Sequence, residues 1–168
     1  MSFHYQFFAD QLDNPNNGDW AVSLVAPVVA DSRNTALSIR RFDETTEEGV
    51  GWLLFLENSM SIMQIQMTTR PQNPPTQASR QARHRLYSRE IPDGASIPAW
   101  NFHLMDDMTY GLSTIFWQRN AHNITLNTGA SGPTLSAGKL YQFELTRVSR
   151  ATGVAGDLDL LELHIEVN

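Results

Sequence analysis

Apolar and polar residues alternate with a period of two along much of this chain, most clearly near its carboxyl end. In "LDLLELHIEV", Leu161, Leu163, Ile165 and Val167 fall on one side and Glu162, His164 and Glu166 on the other, as in a strand with one buried face. "KLYQFELTRV" repeats the pattern with Tyr141, Phe143 and Leu145 set against Gln142, Glu144 and Thr146, and "ATGVAGD" connects the two through glycines. Upstream, "SIMQIQMTT" sets Met63, Ile65 and Met67 against Gln64, Gln66 and Thr68. "HNITLN" and "ALSIRRF" alternate likewise, the latter with Leu37 and Ile39 opposite Ser38 and Arg40. With "HYQFF", "WAVSLV", "RHRLYSRE" and the β-branched, aromatic "STIFWQ", the count reaches about nine to eleven strands.

Residues 34 to 60, "NTALSIRRFDETTEEGVGWLLFLENSM", read as one hairpin, with an acidic tip and a return strand whose apolar run, Val50 to Leu56, is expected to be buried on both faces. The tip, Asp43 to Gly49, has oxygen ligands of the kind calcium favours but lacks the ordered spacing and central glycine of an EF-hand loop. It is read as a solvated turn. Only "AWNFHLMDDMTYGL", residues 99 to 112, can hold a helical turn or two, ending at Gly111.

Without crossover helices there are no parallel units. The expected fold is therefore all-β, an antiparallel β-sandwich, jelly-roll-like, with at most one or two short helical turns. Turn-forming residues place loops at 13 to 19, 70 to 81, 91 to 98 and 127 to 138. The proline-rich segment 70 to 81 is long for a connection in a compact domain, yet neither side of it holds enough strands for a sandwich of its own. The expectation is a single domain over 1 to 168, with 70 to 81 as a contact loop.

Composition narrows the function classes. The chain of 168 residues has no cysteine, which excludes disulfides, zinc-thiolate sites and thiol catalysis. A net charge of −6 argues against general affinity for nucleic acid. The longest apolar run is too short to span a bilayer, and the amino terminus lacks the basic and apolar regions of a secretory signal. A soluble protein made in the cytoplasm is expected, with neither nucleic acid nor membrane as partner.

Eleven of the twelve basic residues are arginine, a residue enriched at protein interfaces where lysine is depleted. Arg80, Arg83, Arg85 and Arg89 form the basic cluster, and as a strand the segment presents Arg83, Arg85, Tyr87 and Arg89 on one face, a ridge suited to phosphate, an anionic glycan or an acidic protein surface. Phe3, Tyr5, Phe7 and Phe8 crowd the amino terminus, so that this aromatic area is expected to pack on the chain's own domain or to cross to a neighbouring subunit, with Phe3, Tyr5 and Phe7 as its contact residues. These seven residues are the candidate assembly contacts. The histidines at 4, 84, 103, 122 and 164 are scattered, with no pair spaced as metal ligands on one element. Asp106 and Asp107 are neighbours whose side chains diverge, and no serine sits in a nucleophile elbow. No catalytic, cofactor or metal residue is assigned.

The segments "FFADQLDNPNNGDWAVSLVAP", "ADSRNTALSIRRFDETTEEGVGWLLFL", "YQFELTRV" and "GDLDLLELHIEV" resemble small structural virion proteins of tailed bacteriophages. The resemblance is strongest over 7 to 56 and 139 to 167. It implies a trimeric jelly-roll protein located in the virion, and hence a capsid decoration or cement protein that contacts itself and the major capsid protein or another virion protein. The alternative is a fibre or spike tip binding host-surface carbohydrate, for which tryptophans beside loop polar groups supply the groove. An enzyme on a jelly-roll scaffold requires a cluster of metal-binding histidines that the spacing does not provide.

Overall fold

The computed structural model describes residues 3–12, 23–29, 36–43, 47–57, 62–71, 73, 80–104, 108–110, 118–125, 135–148 and 156–167. Eleven strands and one 3-10 turn, Ala9–Gln11, occupy them: β1 (Phe3–Phe8), β2 (Ser23–Val29), β3 (Ala36–Phe42), β4 (Glu48–Leu56), β5 (Ile62–Pro71), β6 (Arg80–Glu90), β7 (Asn101–Leu104), β8 (Met108–Tyr110), β9 (Gln118–Thr125), β10 (Lys139–Val148) and β11 (Leu158–Val167). The fold is an antiparallel β-sandwich of jelly-roll type. One sheet runs β2-β3-β11-β5-β9, and β1 joins the β3 edge of β11 further along, pairing with residues 162 to 167 where β3 pairs with 158 to 160. The other runs β4-β10-β6-β7, with β8 also paired to β6.

The facing sides of the two sheets enclose the core. Phe42, Ile65, Met67, Leu158, Leu160, Leu163, Ile165 and Val167 meet Val50, Trp52, Leu54, Leu56, Leu86, Phe143 and Leu145. At the centre the Trp52 and Phe143 rings stack at 5.6 Å and 9°. Phe3, Tyr5 and Phe7 are half-buried against this same core, and the Phe7 ring lies 6.3 Å from that of Trp52. Alternation along β1 thus covers the amino-terminal aromatics while leaving His4, Gln6 and Phe8 on the outside.

Four expectations from the sequence are corrected here. Residues 34 to 60 are not a hairpin, because β3 belongs to one sheet and β4 to the other. Residues 44 to 46 of that tip lie outside the described residues, but its flanks are held: Glu48 accepts from the Asp43 backbone N–H at 2.6 Å, and Glu47 accepts from Thr146 at 2.9 Å. Burial raises the Glu48 carboxyl above its ordinary range, opposed by that backbone bond. Val50 to Leu56 is not buried on both faces, since the outer face of β4 is open and Leu53 and Phe55 are 51% and 56% exposed on it. Residues 99 to 112 form no helix in their described part. Phe102 and His103 take opposite sides of β7 because the backbone pairs with β6. Finally, Leu161 is not in the inward row of β11: a bulge between Leu160 and Glu162 resets the alternation, so that Leu158 and Leu160 point inward before it and Leu163, Ile165 and Val167 after it.

Buried polar groups tie the strands together. Asp159 is fully buried and holds Arg41 of β3 at 2.9 Å and Arg70 of β5 at 2.8 Å, so one carboxylate on β11 is clamped from the strands on both its sides. Arg40, on the core-facing side of β3 with Phe42, donates to the carbonyls of Ala9 and Leu12 around the 3-10 turn. Arg147 caps the carbonyls of Phe42 and Gly156 at 3.1 and 3.0 Å. Tyr110 meets Thr69 at 2.7 Å, and burial pushes its hydroxyl up to about 12. Among the described residues no helix is long and apolar enough to cross a membrane.

Candidate functional site

The outer face of the five-stranded sheet carries the candidate site. The register aligns its residues in rows across the strands, one row being Leu53, Gln142 and Arg89, and the next Gly51, Glu144, Tyr87 and Phe102. The face is not the plain polar surface that alternation suggests. Arg89 directs Nε and Nη2 at the Gln142 carbonyl oxygen, at 2.9 and 2.7 Å, and its guanidinium lies 4.1 Å over the half-exposed Trp100 ring. Tyr87 and Phe102 meet at 5.5 Å, and Phe102 stays 42% exposed. Gln142 and Glu144 are themselves buried beneath this face, so its accessible groups are Leu53, Tyr87, Arg89, Trp100 and Phe102.

At one end of this face the sheet opens into a groove of about 470 Å³ lined by Phe55, Glu90, Ile91, Pro92, Asp93, Gly138, Lys139 and Leu140. Local sequence explains its shape. β6 ends at Glu90, Ile91 donates one last ladder bond to the Leu140 carbonyl at 2.8 Å, and the chain then leaves the sheet through Pro92 and a bend at Gly94, which has φ +66°. On the other side Gly138, with φ +74°, turns the chain into β10 and donates to the Leu56 carbonyl at 2.7 Å. Nothing lies within 4 Å of where a Gly138 side chain would project, so the mouth is open there.

Leu140, Ile91 and the exposed Phe55 ring supply the apolar part of the lining. Glu90 accepts from Lys139 Nζ at 2.7 Å, an attraction that raises the lysine above its ordinary range. Asp93 adds a second, exposed carboxylate. An apolar ring beside acceptors and one ammonium suits a ligand that is itself two-faced. A pyranose is of that kind, with C–H groups on one face and hydroxyls around the rim.

The sequence-predicted residues are distributed as follows. Arg83, Arg85 and Arg89 do share the outer face of β6, but Arg85 reaches Glu47 at 3.4 Å and Arg89 is engaged by Gln142 and Trp100, so the ridge is partly neutralised within the chain. The Arg80 side chain, Trp20, Trp117, Asp106, Asp107, most of the 70 to 81 loop and the 127 to 134 part of the last loop lie outside the described residues. Phe3, Tyr5 and Phe7 lie on the far sheet from the groove. Sequence reasoning did not single out Phe55, Glu90, Asp93 or Lys139. The available signal was an apolar run in which every second residue had no core left to face.

One Ser–His pair exists among the described residues, Ser88 Oγ to His103 Nε2 at 2.7 Å. Both side chains are sealed in the interior, with Ser88 fully buried and His103 4% exposed, and burial lowers the imidazole below its ordinary value. A nucleophile needs access that this pair lacks. The described residues contain no group of three or more metal-ligating side chains.

No family model matches the chain, and no curated protein matches it by sequence. Solved structures do match in fold. A xylanase 10B chain of Clostridium thermocellum, comprising a CBM22-1 module and a GH10 module in complex with xylohexaose, aligns with a TM-score of 0.56 at 11% identity, over 98% of this chain and 28% of that one. A family 35 carbohydrate-binding module from Clostridium thermocellum aligns over 97% of both chains at 13% identity and a TM-score of 0.48. A putative sugar-binding protein from Bacteroides thetaiotaomicron aligns over 98% of this chain and 88% of that one at 9% identity and a TM-score of 0.48. The expectation of a capsid decoration or cement protein is corrected by these neighbours. Of these three, the fold match with a TM-score above 0.5 is to the chain comprising a CBM22-1 module and a GH10 module, not to a virion protein.

Proposed function

We propose that this chain is a non-catalytic carbohydrate-binding domain whose groove at the end of the five-stranded sheet holds a sugar ring of a polysaccharide. The observation that carries the reading is the exposed Phe55 ring set beside Glu90, Asp93 and Lys139 in a lining that Leu140 and Ile91 make partly apolar. Phe55 covers the C–H face of the sugar, and the carboxylates and ammonium take its hydroxyls. The adjoining Leu53, Arg89 and Trp100 extend the surface so that further sugar units lie across the strands, with the buried Gln142 holding Arg89 in place. The fold, shared with a xylanase chain solved with xylohexaose, supports the same reading.

The test is a glycan array together with affinity electrophoresis in soluble polysaccharides, with Phe55→Ala as the control. A sugar covering ~60 Å² of the ring at ~25 cal/mol/Å² gains about 1.5 kcal/mol, so Phe55→Ala is expected to weaken binding about tenfold. Absence of any glycan binding, or equal binding by Phe55→Ala and Asp93→Asn, would overturn the proposal.

A further inference from the structure

The outer face of the six-stranded sheet, on the opposite side of the sandwich from the groove, brings together two histidines that stand 160 residues apart in sequence. His4 Nδ1 and His164 Nε2 face each other at 3.2 Å, with ring centroids 5.4 Å apart and planes at 68°. Both rings are at the surface. Their strands are locked in register: His4 lies opposite Glu166 and His164 opposite Gln6, so the two imidazoles are diagonal neighbours on one face of the β1–β11 ladder. β5 closes the other flank, with Gln66 opposite His164 and Gln64 opposite Glu166.

Two nitrogens bound to one tetrahedral zinc ion at ~2.0–2.1 Å stand ~3.3 Å apart, so the separation found here already suits a shared cation. In the metal-free protein one ring donates its N–H to the other. A cation takes the place of that proton once the donor ring adopts the tautomer with its proton on the nitrogen facing away. Glu166, opposite His4 and on the same face, is the carboxylate nearest in the ladder register. No group of three metal-ligating side chains converges among the described residues, so the remaining positions on a bound ion fall to solvent.

We propose that His4 and His164 form a surface site for a divalent transition-metal ion of the zinc type, which cross-links the first strand of the sandwich to the last. The bond has a mechanical consequence. Among the described residues β1 pairs only with β11, and a metal shared by these two strands adds to folding the free energy with which it binds the folded chain. Metal binding here is independent of sugar binding, since the two sites lie on opposite outer faces.

The experiment is calorimetric titration of untagged protein with zinc chloride in a non-coordinating buffer, beside thermal unfolding with and without the metal. Wild type is expected to bind one zinc per chain and to unfold at a higher temperature with it. His164→Ala and His4→Gln are each expected to weaken binding by about tenfold or more and to abolish the thermal shift. These positions are at the surface, so both variants are expected to keep the wild-type circular dichroism and metal-free unfolding temperature to within a few degrees, and His122→Ala is expected to bind as wild type. No zinc binding by wild type, or undiminished binding by both His4→Gln and His164→Ala, would overturn the proposal.

Discussion

Replacing Asp159 by alanine probes the junction that holds three strands in one sheet. The carboxylate is fully buried and accepts from Arg41 at 2.9 Å and Arg70 at 2.8 Å, while those side chains remain 32% and 27% exposed. A hydrogen bond to a charged group contributes about 1.5–3 kcal/mol, so two of them set the upper bound of the loss. The arginines can turn to water once the carboxylate is gone, so part of that loss is recovered and ~2–3 kcal/mol remains. For a chain of this length that corresponds to a fall in Tm of about 5–10 °C. The assay is thermal unfolding followed by far-ultraviolet circular dichroism, with a urea titration to confirm a single transition. Arg41→Ala and Arg70→Ala are expected to cost less individually, because each leaves Asp159 one arginine, and the Arg41→Ala effect should shrink in the Asp159→Ala background. A loss below about 0.5 kcal/mol in Asp159→Ala would refute the reasoning, because it would mean that the ladder alone sets the junction.

Other outcomes follow from the same structure. Burial holds the folded-state value of His103 below its ordinary 6.5, so stability is full above that pH. It falls as the pH drops below 6.5, where the unfolded chain takes a proton that the folded chain refuses, until the folded ring titrates at its own lower value. Unfolding temperature measured between pH 7 and pH 5 should therefore slope downward, about these values, and the slope should be shallower in His103→Asn. Gly156 has φ +80°, and an added Cβ would lie 2.3 Å from Asn73 Nδ2. Gly156→Ala is expected to cost about 1–2 kcal/mol, and because the Asn73 side chain can swing away, Asn73→Ala should recover little of it, leaving backbone strain as the cause. Phe55→Ala, by contrast, should change unfolding free energy by no more than about 0.5 kcal/mol, since most of the ring is already in water.

What could be read from the sequence was what two-residue periodicity encodes: that β5, β10 and β11 are strands, and which residues face inward wherever no bulge interrupts the alternation, as one does at Leu161 of β11. Periodicity says nothing about partners. β3 and β4 are adjacent in sequence and each alternates in its own way, yet they belong to opposite sheets, and nothing local to residues 43 to 47 distinguishes a crossing from a turn. The same limit hid the Asp159 clamp and the His4–His164 pair, whose members meet only because β11 lies at the centre of its sheet. On β3 the alternation was legible but its direction was not: Arg40 faces the core side with Phe42, where the carbonyls of Ala9 and Leu12 satisfy its charge. The groove was the least legible feature. Its walls come from β4, the segment after β6 and the start of β10, and its one sequence trace was the surplus of apolar residues in Val50 to Leu56. That surplus reads equally as a strand buried on both sides. Its outward direction on β4, where the outer face is open, makes Phe55 an exposed aromatic.

The most direct test of carbohydrate binding in this groove is a nuclear magnetic resonance titration of isotope-labelled protein with an oligosaccharide of the glycan selected on the array. Amide shifts are expected to concentrate at Phe55, Ile91, Asp93, Gly138, Lys139 and Leu140, to extend to Arg89 and Gln142 for longer oligosaccharides, and to spare β1 and β11. Shifts confined to the six-stranded sheet, or none at saturating sugar, would contradict it.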